Sequence, residues 1–181
     1  MGIHWASINW ISLILTHFSL AMLVVAIILF IFDWILQKIR RQSNKDVLLR
    51  WLLLLPVGVA SVYVFFMHLC FPKLSAAVMG WPPSPFQFEV ALANVCIGIL
   101  GILSFRASHG FRVATVVVAS FWMWGHSVSE IYQIITTSNI YLGNAVSWFW
   151  VDTILPFVLI SCVKKAKPIV IETYKPEQHQ E

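Results

Sequence analysis

Charged side chains are scarce in this chain, and their scarcity excludes whole classes of protein. Of its 181 residues, 12 are Lys or Arg and 8 are Asp or Glu, so 11% are charged, whereas 59% are hydrophobic. An average soluble domain carries about 25% charged residues. So few charges could not cover the surface of a soluble domain, and a chain this apolar does not stay disordered. The composition therefore favours a protein that resides in a membrane.

Paired cysteines and catalytic signatures are also missing. Cys70, Cys96 and Cys162 lie in or beside apolar runs, and no CxxC or Cys–His spacing indicates a disulfide framework or a zinc finger. We interpret the three as small apolar packing residues. The sequence has no phosphate-binding glycine loop and no GxSxG, HExxH or haem-attachment motif. The function therefore has to be inferred from polar residues that stand inside apolar runs.

Long apolar runs take the place of these motifs. A helix needs about 20 predominantly apolar residues to cross a bilayer, and five runs are of that order. They lack the alternation of polar and apolar residues that is typical of barrel strands. The sequence predicts an all-α, polytopic bundle of five transmembrane helices in one domain, residues 1–163, followed by a polar tail, residues 164–181. The predicted spans are residues 9–36, 47–71, 85–105, 112–136 and 145–163.

The basic residues indicate how such a bundle is oriented. With five spans, 11 of the 12 Lys and Arg residues fall on one side, and Lys73 stands alone on the other. The side rich in Lys and Arg faces the cytoplasm, so the N-terminus is predicted to lie outside and the C-terminus in the cytoplasm. The net charge of +4 is then a topology signal, and we expect a lipid bilayer and no nucleic acid as partner. A homo-oligomer stays open, because assembly would supply the symmetry that five unrepeated spans lack.

Ionisable residues within the predicted spans are concentrated in the outer half of the bilayer. At about 1.5 Å per residue, six of them lie roughly 5 to 15 Å from the outer ends of their helices. Such residues are costly in a membrane and are functional candidates by default. The inner half holds Asp33 and Arg50, which we expect to pair across the first two helices. The six outer residues are His17, His68, Glu89, His126, Glu130 and Asp152.

Two of these residues suggest a chemistry. His126 and Glu130 are four positions apart and therefore share one helix face, which Gln133 continues. With Asp152 from the last span, they predict a site for a divalent metal ion, since imidazole nitrogen and carboxylate oxygen are common ligands of such ions. The same groups could instead exchange protons. A third interpretation is that they form hydrogen bonds that hold the helices together.

No Lys or Arg is available at the depth of the three outer carboxylates. Their charge has to be balanced by protonation, by a charged imidazole or by a bound cation. Trp122 and Trp148 lie near the same level and, together with Gln133, would line an aromatic cavity for an apolar or cationic ligand. The amphiphilic outer loop, residues 72–84, would lie on the membrane or fold over the cluster as a lid.

Three functions are compatible with this pattern. We favour a protein that binds or transports a divalent metal ion or a proton through its His/carboxylate cluster. The first alternative is an intramembrane enzyme that uses His126 and Glu130 as an acid–base pair on a lipid or isoprenoid-like substrate. The second alternative is a structural or accessory membrane subunit. The sequence leaves open whether the protein is an enzyme.

One segment in the second half of the chain has a recognisable pattern. It reads GWPPSPFQFEV over residues 80–90, followed by Ala93-Asn94 and by Gly98 and Gly101 with Ile102-Leu103-Ser104. The glycines also allow another helix to come close. The pattern resembles an uncharacterised family of small multi-spanning bacterial and archaeal membrane proteins. The resemblance implies a compact helical fold in a bacterial cytoplasmic membrane, and it supplies no activity and no catalytic residues.

Overall fold

The fold is helical throughout the part of the chain that the structure describes. The computed structural model describes residues 16–40, 46–80, 82, 84–137 and 147–166. No strand occurs among these residues, so the all-α prediction is confirmed for them. Predictions for residues 9–15, for the link at residues 139–144 and for the tail from residue 167 onward lie outside the described residues.

The described residues form five long helices and one short one. They are α1 (Phe18–Ile39), α2 (Val47–Cys70), α3 (Pro72–Met79), α4 (Phe86–Ser104), α5 (His109–Thr137) and α6 (Trp148–Lys165). By length and composition, α1, α2 and α4 can each cross a membrane. The other two long helices are more polar, since α5 contains His126 and Glu130, and α6 contains Asp152 and ends in two lysines. Each predicted span overlaps a long helix, while the count of five spans and their orientation stay predictions.

The predicted outer loop contains the short helix α3. Phe71, with φ −128° and ψ 49°, interrupts the helical backbone after α2, and Pro72 begins α3 at a position where its missing N–H has no cost. Gly80 follows the end of α3 with φ 69°, a left-handed conformation that suits glycine. Ser75 and Ala76 are buried, so α3 packs onto the bundle.

Glycines bring α2 and α4 into backbone contact. A Cβ atom on Gly101 would lie 2.6 Å from the amide nitrogen of Gly58 and 2.7 Å from the carbonyl oxygen of Leu53. A Cβ atom on Gly98 would lie 3.1 Å from the carbonyl oxygen of Gly58. The close approach that the glycines of α4 predict is therefore present, and α2 is the partner.

The middle of α2 departs from α-helical geometry. Leu53–Val59 is π-helical and contains Pro56. Proline has no N–H to donate, and its ring crowds the carbonyl of the preceding turn of an α-helix. A π-helical turn, with its hydrogen bonds from residue i to i+5, accommodates such an irregularity. Pro56 and Val57 are both buried, so the irregular turn faces the interior of the bundle.

The predicted ion pair between Asp33 and Arg50 is wrong. Asp33 accepts a hydrogen bond of 2.7 Å from the indole nitrogen of Trp51. Arg50 donates from Nε to the carbonyl oxygen of Phe105 at 2.8 Å, and its guanidinium lies 4.6 Å from the centre of the Phe105 ring. The physical reason is the end of α4, where the last carbonyl groups lack partners within the helix and attract a guanidinium.

A second arginine reinforces the same end of α4. Arg112, which is buried, donates from Nε to the carbonyl oxygen of Ser104 at 2.9 Å. Its Nη1 forms a 3.0 Å ion pair with Asp46, the residue before α2. Arg112 therefore ties the start of α5 to the end of α4 and the start of α2.

Candidate functional site

The main cavity lies among the helices and has a volume of about 280 Å³. Every one of the six helices contributes to its wall. Cavities that bind small molecules typically measure about 300–1,000 Å³ and combine apolar walls with a few polar groups. The main cavity is close to the lower end of that range, and its walls fit the description. Its larger apolar and aromatic residues include Pro56, Tyr63, Met67, Leu74, Trp122 and Trp148.

One wall of the main cavity carries a contact between α5 and α6. The Nδ1 atom of His126 lies 3.3 Å from the Oδ2 atom of Asp152, and Asp152 is 6% exposed. The distance is slightly longer than the usual hydrogen-bond range of about 2.7–3.2 Å. The ring of Trp122, one turn before His126, packs against the imidazole with 4.7 Å between the ring centres. The imidazole is therefore oriented from two sides.

Three residues that line the main cavity each carry a buried polar atom with no hydrogen-bond partner among the described residues. The atoms are Nδ1 of His68, Nε1 of Trp122 and Oε2 of Glu130. Buried polar groups of folded proteins are nearly always hydrogen-bonded, because desolvation without a partner costs about 1–3 kcal/mol each. Three residues that line one mostly apolar cavity thus each carry a buried polar atom without a described partner.

Four of the six predicted polar residues line the main cavity together. His68 comes from α2, His126 and Glu130 come from α5, and Asp152 comes from α6. His68 is close enough to His126, and Glu130 to Asp152, for their charges to interact. Trp122 and Trp148, which were predicted to line a cavity, also belong to this lining.

The other predicted residues lie elsewhere. Nδ1 of His17 and the hydroxyl of Ser147 share a hydrogen bond of 2.7 Å, and His17 does not belong to the described lining. Glu89 is exposed on the surface of α4. Gln133 donates from Nε2 to the hydroxyl of Ser129 at 3.3 Å and is likewise not part of the described lining. Residues that were predicted to lie at one depth therefore do not all face the same cavity.

The predicted metal site is not supported by the geometry. Within the described ranges, no three side chains of His, Cys, Asp or Glu form a group that could hold a metal ion. A zinc-type site requires several ligand atoms to reach one point at about 2.0–2.3 Å each. Of the three predicted ligands, His126 and Asp152 are in contact with each other, and the buried Glu130 oxygen has no described hydrogen-bond partner.

Sequence reasoning did not assign Tyr63 and Asn94 to the site. Tyr63 stacks on Phe18 with 4.2 Å between the ring centres and lies 6.5 Å from the ring of Trp148. Asn94 is 2% exposed, lines the main cavity and donates to the carbonyl oxygen of Val90 at 2.9 Å. Asn94 could have been predicted, because it is an amide inside the apolar run of α4. Tyr63 could not, because an aromatic residue in an apolar helix such as α2 is common.

The site and fold together define a helical protein with candidate membrane spans and a mostly apolar cavity among its described helices. The chain matches a family of unknown function, DUF6790, over residues 16–168. It belongs to that family, which confirms the resemblance to an uncharacterised family without an established activity. No curated protein and no solved structure matches the chain.

Proposed function

We propose that this protein is an integral membrane protein whose main cavity binds an amphiphilic small molecule. The observation that carries the proposal is that three residues lining a mostly apolar cavity, His68, Trp122 and Glu130, each carry a buried polar atom without a described partner, which would turn toward a bound polar group. An amphiphile would place its polar end against those atoms and its chain against the apolar wall. Such a molecule is soluble in the bilayer that surrounds the helices.

The membrane arrangement belongs to the same proposal. The five predicted spans in one domain, residues 1–163, would cross a bacterial cytoplasmic membrane with the N-terminus outside and residues 164–181 in the cytoplasm. Three apolar helices, each long enough to cross a bilayer, support a location in a membrane. Arg50 and Arg112 cluster at the end of α4, which this orientation places on the cytoplasmic side. The main cavity would then lie in the outer half, with lipid and no nucleic acid as partner.

The cavity wall also bears on the predicted transport function. A proton version keeps support from the contact between His126 and Asp152, because a carboxylate stabilises the charged form of an imidazole. A divalent-metal version has no third ligand beside that pair in the described residues. We therefore place ligand binding ahead of metal transport.

Co-purification tests the proposal. Protein purified in a mild detergent is extracted with organic solvent, and bound molecules are identified and quantified by mass spectrometry. The Trp122→Phe variant keeps an aromatic ring and loses the unpartnered N–H, so it should retain roughly two- to tenfold less ligand. Trp150→Phe, at a residue that is 57% exposed, is the matched control and should retain the wild-type amount.

Two results would contradict ligand binding in the main cavity. One is the absence of any amphiphile above the detergent blank. The other is equal retention by wild type and both tryptophan variants. Either result would leave the structural or accessory subunit as the better explanation of the buried polar groups.

The pairing of His126 with Asp152 favours a second candidate function, an acid–base enzyme. Asp152 orients the imidazole, as the third group of a catalytic constellation does, and Glu130 lines the same cavity. Incubation of the protein with its own co-purified molecule, followed by mass spectrometry, distinguishes the two functions. Conversion by the wild type and none by Glu130→Gln would indicate catalysis, whereas an unchanged molecule would indicate binding alone.

A further inference from the structure

We propose that the molecule in the main cavity has a positively charged amine at its polar end, with a hydroxyl beside it. The inference rests on the proposed function and names the chemical class of the ligand, a single-chain amino alcohol. Three features carry it: the charges of the cavity wall, the three unpartnered atoms and the aromatic rings around them.

The wall of the main cavity is rich in carboxylate and poor in cations. Its titratable residues in the described part of the chain are Tyr63, His68, His126, Glu130 and Asp152, with no Lys or Arg among them. The contact with His126 can offset the charge of Asp152. Glu130 has no basic partner there, so its carboxyl is ionised only when a cation lies beside it and is otherwise protonated. A cationic ligand supplies that partner.

His68 is better placed to accept a hydrogen bond than to carry the compensating charge. It is 3% exposed, and a charge on its ring would interact with one on His126. Two charged imidazoles on one cavity repel each other. The neutral ring, with its proton on Nε2, offers an acceptor at the unpartnered Nδ1 atom.

An amino alcohol satisfies all three unpartnered atoms. An ammonium group has three N–H donors and no acceptor. It can donate to Oε2 of Glu130 and to Nδ1 of His68. The indole nitrogen of Trp122 is a donor and requires an acceptor, which an ammonium lacks and a neighbouring hydroxyl oxygen supplies. A simple amine would leave Trp122 without a partner, and a simple alcohol, with a single O–H donor, would satisfy only one of His68 and Glu130.

The aromatic lining and the sign of the charge exclude other polar ends. Trp122 and Trp148 both line the cavity, and the face of an indole ring attracts a cation. A carboxylate or phosphate would add negative charge beside Glu130 and Asp152, and like charges at short range are strongly unfavourable. Fatty acids and phospholipids with a net negative charge are therefore poor ligands.

Direct binding measurements test the charge of the ligand. The protein is reconstituted in phosphatidylcholine nanodiscs, and saturable binding of labelled 2-amino-1-octanol, 1-octanol and octanoic acid is measured against protein-free nanodiscs. We expect the amino alcohol to bind at least about tenfold more tightly than the other two, as a charge-assisted hydrogen bond implies. Glu130→Gln should remove that advantage, and the exposed Glu89→Gln should preserve it.

A second variant separates the hydroxyl from the charge. Trp122→Phe should weaken binding of 2-amino-1-octanol more than binding of octylamine, because octylamine loses only the stronger cation–π contact of the indole and has no oxygen for its N–H. An equal loss of affinity for both compounds would overturn the inference that the ligand has a hydroxyl. This comparison holds even if Glu130→Gln does not fold, which the elution profile and Tm of each variant show.

The outcomes distinguish this inference from the proposed function. Equal affinity for 1-octanol and 2-amino-1-octanol, or unaltered binding in Glu130→Gln, would overturn the cationic ligand while leaving an amphiphile in the cavity. Tighter binding of octanoic acid would do the same. No saturable binding of any compound would overturn both proposals.

Discussion

Replacing Gly101 by alanine should force α2 and α4 apart. The added Cβ atom would lie 2.6 Å from the amide nitrogen of Gly58 and 2.7 Å from the carbonyl oxygen of Leu53, and real Cβ atoms essentially never come within 3.0 Å. Both atoms belong to the backbone, so no side-chain rotation relieves the contact. Overpacking of this kind costs about 1–3 kcal/mol of unfolding free energy. For a chain of this size we expect Tm to fall by roughly 2–12 °C.

Gly125 provides a control of opposite sign in α5. A Cβ atom there meets no described atom within 4 Å, and alanine in an exposed helix is about 0.5–1 kcal/mol more favourable than glycine. Thermal unfolding of both variants in the same detergent, followed by circular dichroism, should therefore show a fall in Tm for Gly101→Ala and a small rise for Gly125→Ala. An unchanged Tm for Gly101→Ala, or a similar fall for both, would refute backbone contact between α2 and α4.

Two further predictions concern polar contacts. Arg112→Ala removes an ion pair with Asp46 and hydrogen bonds to the carbonyl oxygens of Ser104 and Phe105. Because the Asp46 carboxylate is partly exposed, we expect a loss of only about 2 kcal/mol, measured by SDS denaturation. The exposed Arg106→Ala should change the free energy by less than about 0.5 kcal/mol, and similar losses for both would contradict a special role of Arg112. The variants His126→Gln and Asp152→Asn should show a coupling of about 0.5–3 kcal/mol in a double-mutant cycle on stability. Additive effects would mean that the two side chains do not interact.

The positions of the long helices are largely readable from the sequence. The predicted span at residues 47–71 and the observed Val47–Cys70 differ by one residue at one end, because Asp46 and Pro72 mark the boundaries locally. The glycines at positions 98 and 101 likewise predict a close contact with another helix. Helix boundaries and close helix contacts depend on residues that are near one another in the chain. They can therefore be predicted from apolar composition, turn residues and glycines.

The arrangement of side chains around the cavity is less accessible to sequence reasoning. Depth can be counted along a helix, but rotation about its axis depends on packing. His17 turns toward Ser147, whereas His68 turns into the cavity. The partner of Arg50 is a carbonyl group 55 positions away, at Phe105. Every residue has a backbone carbonyl, so the sequence does not reveal which one accepts a hydrogen bond. The prediction of a partner for Arg50 therefore relied on charge and selected Asp33.

The π-helical turn of α2 also changes the angle about the helix axis between side chains that precede it and side chains that follow it. At about 100° per residue, an unbroken α-helix would place Leu52 and His68 roughly 160° apart around its axis. Both are nonetheless buried, at 2% and 3% exposure. A turn closed from i to i+5 takes up about one extra residue without adding rotation, which reduces the angle to roughly 60°. Leu53–Val59 is thus where this helix could lose one residue while both halves keep their inward faces.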